Sequence, residues 1–146
     1  MINGRTLAYL VSLICGGCVS GYSPAYSDVC TREMAIQAEA TIDSLNSWNT
    51  LYSAYKKFSQ CDDGAVAEGF SDMIVRLLIE HPISFKPLDN DKGFGVFVLK
   101  HIGELMTENE FTSLRAKISQ CSSGSTGQFC KKLKAKLEFI RHESPL

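Results

Sequence analysis

Apolar side chains that recur every three or four residues are the feature that most limits what this chain can fold into. This spacing lines one face of a helix, whereas a half-buried strand needs apolar and polar residues to alternate. No segment shows sustained alternation, and the nearest strand candidate, 96–99, lies within a longer helical pattern. The sequence therefore predicts an all-α domain, a compact bundle of five or six short helices.

Helix boundaries are marked by capping residues and by proline. Two helices are predicted over about 31–44 and 47–60. The residue before a proline disfavours helical geometry, so the next helix ends at His81, and 82–92 is expected to form an exposed loop. Asp63 and Asp91 are suitable N-caps for the helices that follow them.

The later helices have similar signals. Residues 107–110 and 125–128 match the capping-box pattern, in which a Ser or Thr precedes Glu or Gln by three residues. The helix that begins after Asp91 is expected to carry Leu105 on its apolar side. On the preceding helix, Asp72 is expected to pair with Arg76 one turn later.

The first 27 residues have the composition of a secretory signal peptide. A short basic start is followed by an uncharged apolar run and then by small residues before Asp28. The run is shorter than the ~20 residues that a membrane-spanning helix needs. The sequence thus predicts a signal peptide over 1–27 and a single helical domain over 28–146, with no membrane segment after cleavage. A lipoprotein anchored at Cys18 is the alternative.

Cleavage at that point leaves four cysteines, an even number that favours two disulfides in an exported chain. Three pairings are open for Cys30, Cys61, Cys121 and Cys130. We favour Cys30–Cys61 and Cys121–Cys130, because both close local loops around predicted helix ends. The absence of a C-x-x-C pair among them argues against a zinc site.

Charge is unevenly distributed, although the whole chain carries a net charge of only −1. Residues 28–110 contain seven basic and fourteen acidic residues, whereas 111–146 contain seven basic and two acidic ones. The near-neutral total argues against a nucleic-acid partner. The basic C-terminal helix is either a solvated face with cations near its C-terminus or a docking patch for an anionic surface.

No pattern of catalytic residues emerges. The three histidines are far apart, and neither H-E-x-x-H, G-x-S-x-G nor a P-loop occurs. His101 is on an apolar face, which favours a core histidine with satisfied hydrogen bonds. Asp62 and Asp63 are explained by helix capping, and 89–93 fails as a calcium loop because its glycine is one position early. We therefore expect no enzymatic activity, no cofactor and no metal.

Two groups of residues are candidates for contact with a partner. One is the aromatic stripe of the second helix, since Tyr and Trp are enriched at protein interfaces. The other is the 82–92 loop, which combines apolar and acidic side chains on an exposed connection. The candidate partner-binding residues are Trp48, Tyr52, Tyr55, Phe85, Leu88, Asp89, Asn90 and Asp91.

The layout as a whole resembles a known class of bacterial proteins. A cleaved signal, a helical body of about 120 residues, paired cysteines, an acidic bias and no catalytic motif are together similar to periplasmic immunity proteins of type VI secretion effectors. These include inhibitors of peptidoglycan amidases. The segments 52–72 and 97–102 are also similar to small exported bacterial proteins.

The resemblance implies a periplasmic protein that binds a secreted toxin, such as a peptidoglycan hydrolase, and blocks its active-site cleft, often as a homodimer. It rests on layout and not on a motif matched residue by residue, so it transfers no site residues. The alternative function is a periplasmic inhibitor or chaperone of an endogenous or host enzyme.

Overall fold

The computed structural model describes residues 29–143, apart from 82, 84, 104, 120 and 122–126. The predicted signal peptide over 1–27 lies outside the described residues, and so does the alternative lipidation site at Cys18. Ser125, the first residue of the second predicted capping box, lies outside them as well.

Seven α-helices make up most of the described part of the chain, and no strand occurs within it. They are α1 Arg32–Ile42, α2 Trp48–Phe58, α3 Gly64–Glu80, α4 Pro87–Asn90, α5 Lys92–Lys100, α6 Glu108–Ser119 and α7 Gly127–Glu143. A single 3₁₀ turn, Ser59–Cys61, joins α2 to α3. The prediction of a compact all-α fold is confirmed.

The predicted caps form as expected at three helices. The carboxylate of Asp63 accepts from the N–H of Gly64 at 2.8 Å, and that of Asp91 accepts from Phe94 at 3.1 Å. Thr107 and Glu110 bond each other's backbone N–H groups in a capping box before α6. Each cap satisfies a helix N–H that has no partner within its own helix.

The core is built around α3, which packs against α1 and α6, while α7 packs against α4, α5 and α6. The apolar residues of α3 are spaced so that most of one helix face and part of an adjacent face are buried. The buried residues of α3 are Val66, Phe70, Ser71, Met73, Ile74, Val75, Leu77 and Leu78. Burial of this kind is the main favourable term in folding a domain of this size.

Two disulfides staple the bundle, and both favoured pairings are confirmed. Cys30–Cys61 connects the chain before α1 to the 3₁₀ turn, and Cys121–Cys130 connects the end of α6 to the first turn of α7. Two disulfides in a chain of this length indicate an oxidising compartment. Within the described residues, none of the helices combines the length and the apolar character that crossing a membrane requires.

Two boundary predictions are wrong. The segment 82–92 is not an exposed loop throughout, because Pro87 starts the one-turn helix α4 and Leu88 is buried in the core. Proline is favourable at the first position of a helix, where its missing N–H is not needed. The helix after Asp91 ends at Lys100, which leaves Leu105 64% exposed beyond it. Gly103, a poor helix former, lies between them.

The predicted pairing of Asp72 with Arg76 is also wrong. The guanidinium of Arg76 instead donates to the backbone carbonyl of Leu45 at 3.2 Å. That carbonyl lies in the connection between α1 and α2, where the backbone has no hydrogen-bond partners from a continuing helix. A side-chain donor there satisfies a polar group beside the buried Leu45 side chain.

Close packing between α4 and α5 depends on a glycine. A Cβ atom at Gly95 would lie 2.5 Å from the carbonyl oxygen of Leu88 and 3.9 Å from the ring of Phe129 on α7. Backbone at that distance cannot move aside as a flexible side chain does. The absence of a side chain at Gly95 therefore lets α4 and α5 approach each other, while the contact with α7 would tolerate a Cβ atom.

We predict that Gly95→Ala lowers the free energy of unfolding by about 1–3 kcal/mol, the usual cost of overpacking. The matched control is Gly127→Ala, because a Cβ there meets nothing within 4 Å. Urea unfolding with both disulfides intact, followed by circular dichroism, measures both variants. Equal stability of the two variants would contradict this account of the α4–α5 contact.

Candidate functional site

The aromatic residues of α2 meet a second set of rings from α5 and from the segment before α4. Trp48 stacks on Phe85 with 6.3 Å between ring centroids, and Tyr52 makes edge contacts with Phe85 and Phe94 at 5.9 and 4.9 Å. The ring centroids of Tyr55 and Phe94 are 5.2 Å apart. The spacing of these residues along α2 places them on one helix face, so that they form one continuous aromatic cluster.

A hydrogen bond fixes the polar end of this cluster. The hydroxyl of Tyr52 donates to Asp91 Oδ2 at 2.9 Å, while Asp91 Oδ1 caps α5. The hydrogen bond from the Phe94 N–H lowers the pKa of Asp91, and the bond from Tyr52 lowers it further. The bond to Asp91 raises the pKa of Tyr52. The tyrosine therefore stays protonated near neutral pH and is held in one orientation.

An open pocket of about 550 Å³ lies beside the Trp48 end of the cluster. We call it the Trp48 pocket; it is lined by Ser47, Trp48, Asn49, His81, Phe85, Lys86 and Pro87. Among the described residues, its lining includes a lysine and a histidine but no carboxylate. The first turn of α2 also contributes to it, where helix N–H groups lack partners within the helix. This lining provides an apolar wall with a polar and partly cationic rim.

The indole of Trp48 has an unusual environment. Trp48 is only 7% exposed, and its Nε1 is buried without a hydrogen-bond acceptor among the residues that the structure describes. A buried donor without an acceptor costs about 1–3 kcal/mol. The indole stacks on Phe85 and carries this unpaired donor beside the pocket.

The structure joins five of the eight candidate partner-binding residues in one cluster, namely Trp48, Tyr52, Tyr55, Phe85 and Asp91, and it uses several of the eight in folding. Trp48 and Leu88 are buried. Asp89 Oδ1 accepts from the N–H of Phe129 at 2.6 Å and thus caps the first turn of α7. Asp91 caps α5. The half-buried or exposed members are Tyr52, Tyr55, Phe85, Asp89, Asn90 and Asp91.

These placements separate accessible residues from structural ones within the candidate set. Among the accessible residues that the sequence did not single out, Asn49 and Lys86 are exposed at the edge of the Trp48 pocket. Contact of any of these residues with a partner stays a prediction.

A second polar group, which sequence analysis missed as a unit, lies in the core. His101 is 7% exposed, its Nδ1 lies 2.8 Å from the hydroxyl of Ser71, and its Nε2 lies 3.1 Å from Asp62 Oδ1. His101 Nε2 and Asp62 Oδ1 are both buried and have no other hydrogen-bond partner among the described residues, so each depends on this contact. Lys100 pairs with the other oxygen of Asp62 at 2.7 Å.

The sequence contained one signal for this cluster. Ser71 lies three, four and seven residues before the buried residues Ile74, Val75 and Leu78. A polar residue at an apolar position of a helix needs a hydrogen-bond partner. The identity of that partner, thirty residues away and directly after α5, follows only from the packing of α3 against the end of α5.

Ser71 can serve His101 in either protonation state. Its hydroxyl is within reach of His101 Nδ1 and also of the Ala67 carbonyl, at 2.9 Å. When neutral His101 carries its proton on Nε2, facing Asp62, Ser71 donates to Nδ1. When Nδ1 is protonated, it donates to Ser71, which then donates to Ala67. Burial nevertheless lowers the pKa of His101, although the negative charge of Asp62 opposes this.

The order Ser71, His101, Asp62 has the residue types of a nucleophilic triad, but its setting favours a structural role. Ser71 is 9% exposed and lies within α3, whereas a nucleophile must be reached by a substrate. The cluster instead links the start of α3 to the end of α5. Within the described residues, no three His, Cys, Asp or Glu side chains group closely enough to hold a metal ion.

Comparison with known proteins adds no relative to these observations: no family model, no curated protein and no solved structure matches this chain.

We predict that His101 makes the fold sensitive to acid. The unfolded histidine titrates near 6.5, and the folded one titrates lower. The unfolded state therefore binds more protons below about pH 6.5, and the free energy of unfolding falls as the pH drops from there towards the folded pKa. The contribution of one such group is at most about 1.4 kcal/mol per pH unit.

The measurement is urea unfolding at several pH values between 7.5 and 5. His101→Gln retains a side chain that can donate to Asp62 and accept from Ser71, and it should show a shallower decline than the unmodified protein. His142→Gln, on the exposed end of α7, is the matched control and should follow the unmodified protein. An identical decline in all three proteins would show that His101 does not carry the effect.

Proposed function

We propose that this protein is an exported immunity protein that binds and blocks a secreted, cell-wall-targeting toxin of the type VI class. The proposal includes cleavage of residues 1–27 and residence in the periplasm. The observation that carries it is the Trp48 pocket, an open concave surface with an aromatic wall on a domain stapled by two disulfides. Concave apolar surfaces with a few polar groups are the common form of binding sites.

The build of the pocket supports tight binding. Phe85 is held by Trp48 and Tyr52, and Tyr52 is held by Asp91, so these rings are ordered before a partner arrives. Binding then loses less side-chain entropy than it would with mobile side chains. Stoichiometric inhibition of a toxin requires high affinity, and preorganised aromatic anchors are the usual source of it in protein interfaces.

The partner in this proposal presents a protruding apolar group with polar or acidic neighbours. The apolar group would enter between Phe85 and the first turn of α2, and the polar neighbours would meet Lys86 and Asn49 at the edge. A peptidoglycan hydrolase or a similar secreted enzyme is the partner class that the layout of the chain favours.

We predict that the double variant Asn49→Arg, Lys86→Glu weakens protection without unfolding the protein. Both side chains are exposed, so the changes add bulk and reverse charge at the pocket without touching the core. Loss of an interface contact worth about 1.4 kcal/mol weakens binding tenfold. Cells that lack the protein are complemented with each version and then challenged by a sibling strain that delivers the toxin. The surviving cells are counted, and the double variant should leave at least about tenfold fewer survivors than the unmodified protein.

The matched control is Gln37→Arg, Arg32→Glu, which makes the same two types of change at exposed positions on α1. It should protect as well as the unmodified protein. Equal survival of protein-free and complemented cells would contradict immunity. A growth defect of protein-free cells without any challenge would instead favour the alternative, an inhibitor or chaperone of a resident enzyme.

A further inference from the structure

The solvent-facing arc of α7 carries four lysines, two of which flank an exposed aromatic ring. The inner side of the helix is buried in the core and consists of Phe129, Leu133 and Leu137. Lysines and one phenylalanine occupy much of the rest of the helix surface, and this phenylalanine, Phe139, is 54% exposed. We call this surface the basic face of α7; it consists of Lys131, Lys132, Lys134, Lys136 and Phe139.

The charge of this face is not neutralised within the described part of the chain. Glu138 on α7 pairs with Arg115 on α6 at 3.6 Å and with Arg141 at 3.1 Å. None of the four lysines forms an ion pair among the described residues. The cations therefore project their field outwards, in the part of the chain that is rich in basic residues.

The position of Phe139 adds an apolar element to this field. Lys132, Lys136 and Phe139 are spaced by four and three residues, so they follow one another along a single stripe of the helix. A phenylalanine exposed to this degree has an energetic cost in water, and flanking lysines would keep their ammonium groups outside any apolar layer that the ring enters.

We propose that the basic face of α7 docks on the surface of an anionic lipid bilayer. Basic amphipathic helices that lie along such a surface combine lysines for the headgroups with aromatic or aliphatic side chains for the acyl boundary. All four cations of the face are lysines, flexible point charges that suit a diffuse array of phosphates. Recognition of a single carboxylate group in a protein partner would favour the planar fork of arginine instead.

Docking of this kind is independent of the toxin proposal. It rests on α7, whereas the proposed toxin site rests on α2 and the segment before α4. The identity of the membrane rests on the export that the proposed function includes: docking would hold the protein against the membrane that borders that compartment, with α7 as the contact helix.

Vesicle co-sedimentation tests the proposal, with the full chain as it is recovered from the cell. The readout is the ratio of partitioning onto phosphatidylglycerol vesicles to partitioning onto phosphatidylcholine vesicles, because any apolar segment shared by all variants contributes to both. We expect a ratio well above one at low salt. Lys132→Gln with Lys136→Gln should reduce it about thirtyfold, given the usual contribution of a lysine near an anionic surface. Phe139→Ser should weaken partitioning onto the anionic vesicles.

Arg32→Gln with Lys92→Gln is the matched control, since it removes two exposed cations from the acidic part of the chain. It should leave the ratio unchanged. A ratio near one for the unmodified protein, or equal loss in both double variants, would overturn the proposal. Binding to polyglutamate with no preference for anionic vesicles would overturn it as well and would assign the face to an acidic protein. Thermal unfolding confirms that each variant is folded.

Discussion

Ring packing between α2 and α5 connects the features on which this fold depends. Phe94 and Phe97 of the nine-residue helix α5 lie against Tyr55 on one side, and Phe97 continues to Phe70 on α3 and to His101. These contacts bury the largest side chains of a small core, where each ring contributes both area and geometry. The same series of rings reaches the Trp48 pocket at one end and the buried histidine at the other, so both sites depend on the position of α5.

Carboxylates provide the second constraint, because they fix the first residues of helices whose starting points the aromatic packing does not determine. Asp91 starts α5 and holds Tyr52, while Asp89 caps α7 from a distance of forty residues in sequence. A cap of this type stabilises a helix by about 1 kcal/mol and also sets where the helix begins. The acidic segment before α5 thus connects three helices, α2, α5 and α7. Its carboxylates form hydrogen bonds within the fold to a greater extent than its acidic composition implies.

Local features were therefore predictable from the sequence, whereas contacts between distant segments were not. Helical spacing and the caps at Asp63 and Thr107 depend on residues close together in the chain, and each has one strongly favoured geometry. The role of Asp89 depends on where α7 arrives. Aromatic and aliphatic residues that were candidates for partner contact, such as Trp48 and Leu88, are also of the types that fill cores, so residue type alone does not separate the two uses. Only the packing shows that these two are buried and that Asn49 and Lys86 border the pocket.

The division of charge along the chain separates its two candidate surfaces in physical character. The Trp48 pocket lies in the acidic part of the chain, and its contacts would be mainly apolar, with few charges at the edge. The basic face of α7 carries four lysines without partners among the described residues, and its attraction is mainly coulombic. Coulombic attraction between exposed charges is screened within about 8 Å at physiological ionic strength, whereas burial of apolar surface is not weakened by salt in this way. Raising the salt concentration should therefore release a partner from α7 before it releases one from the pocket, so the two kinds of binding are separable on one intact protein.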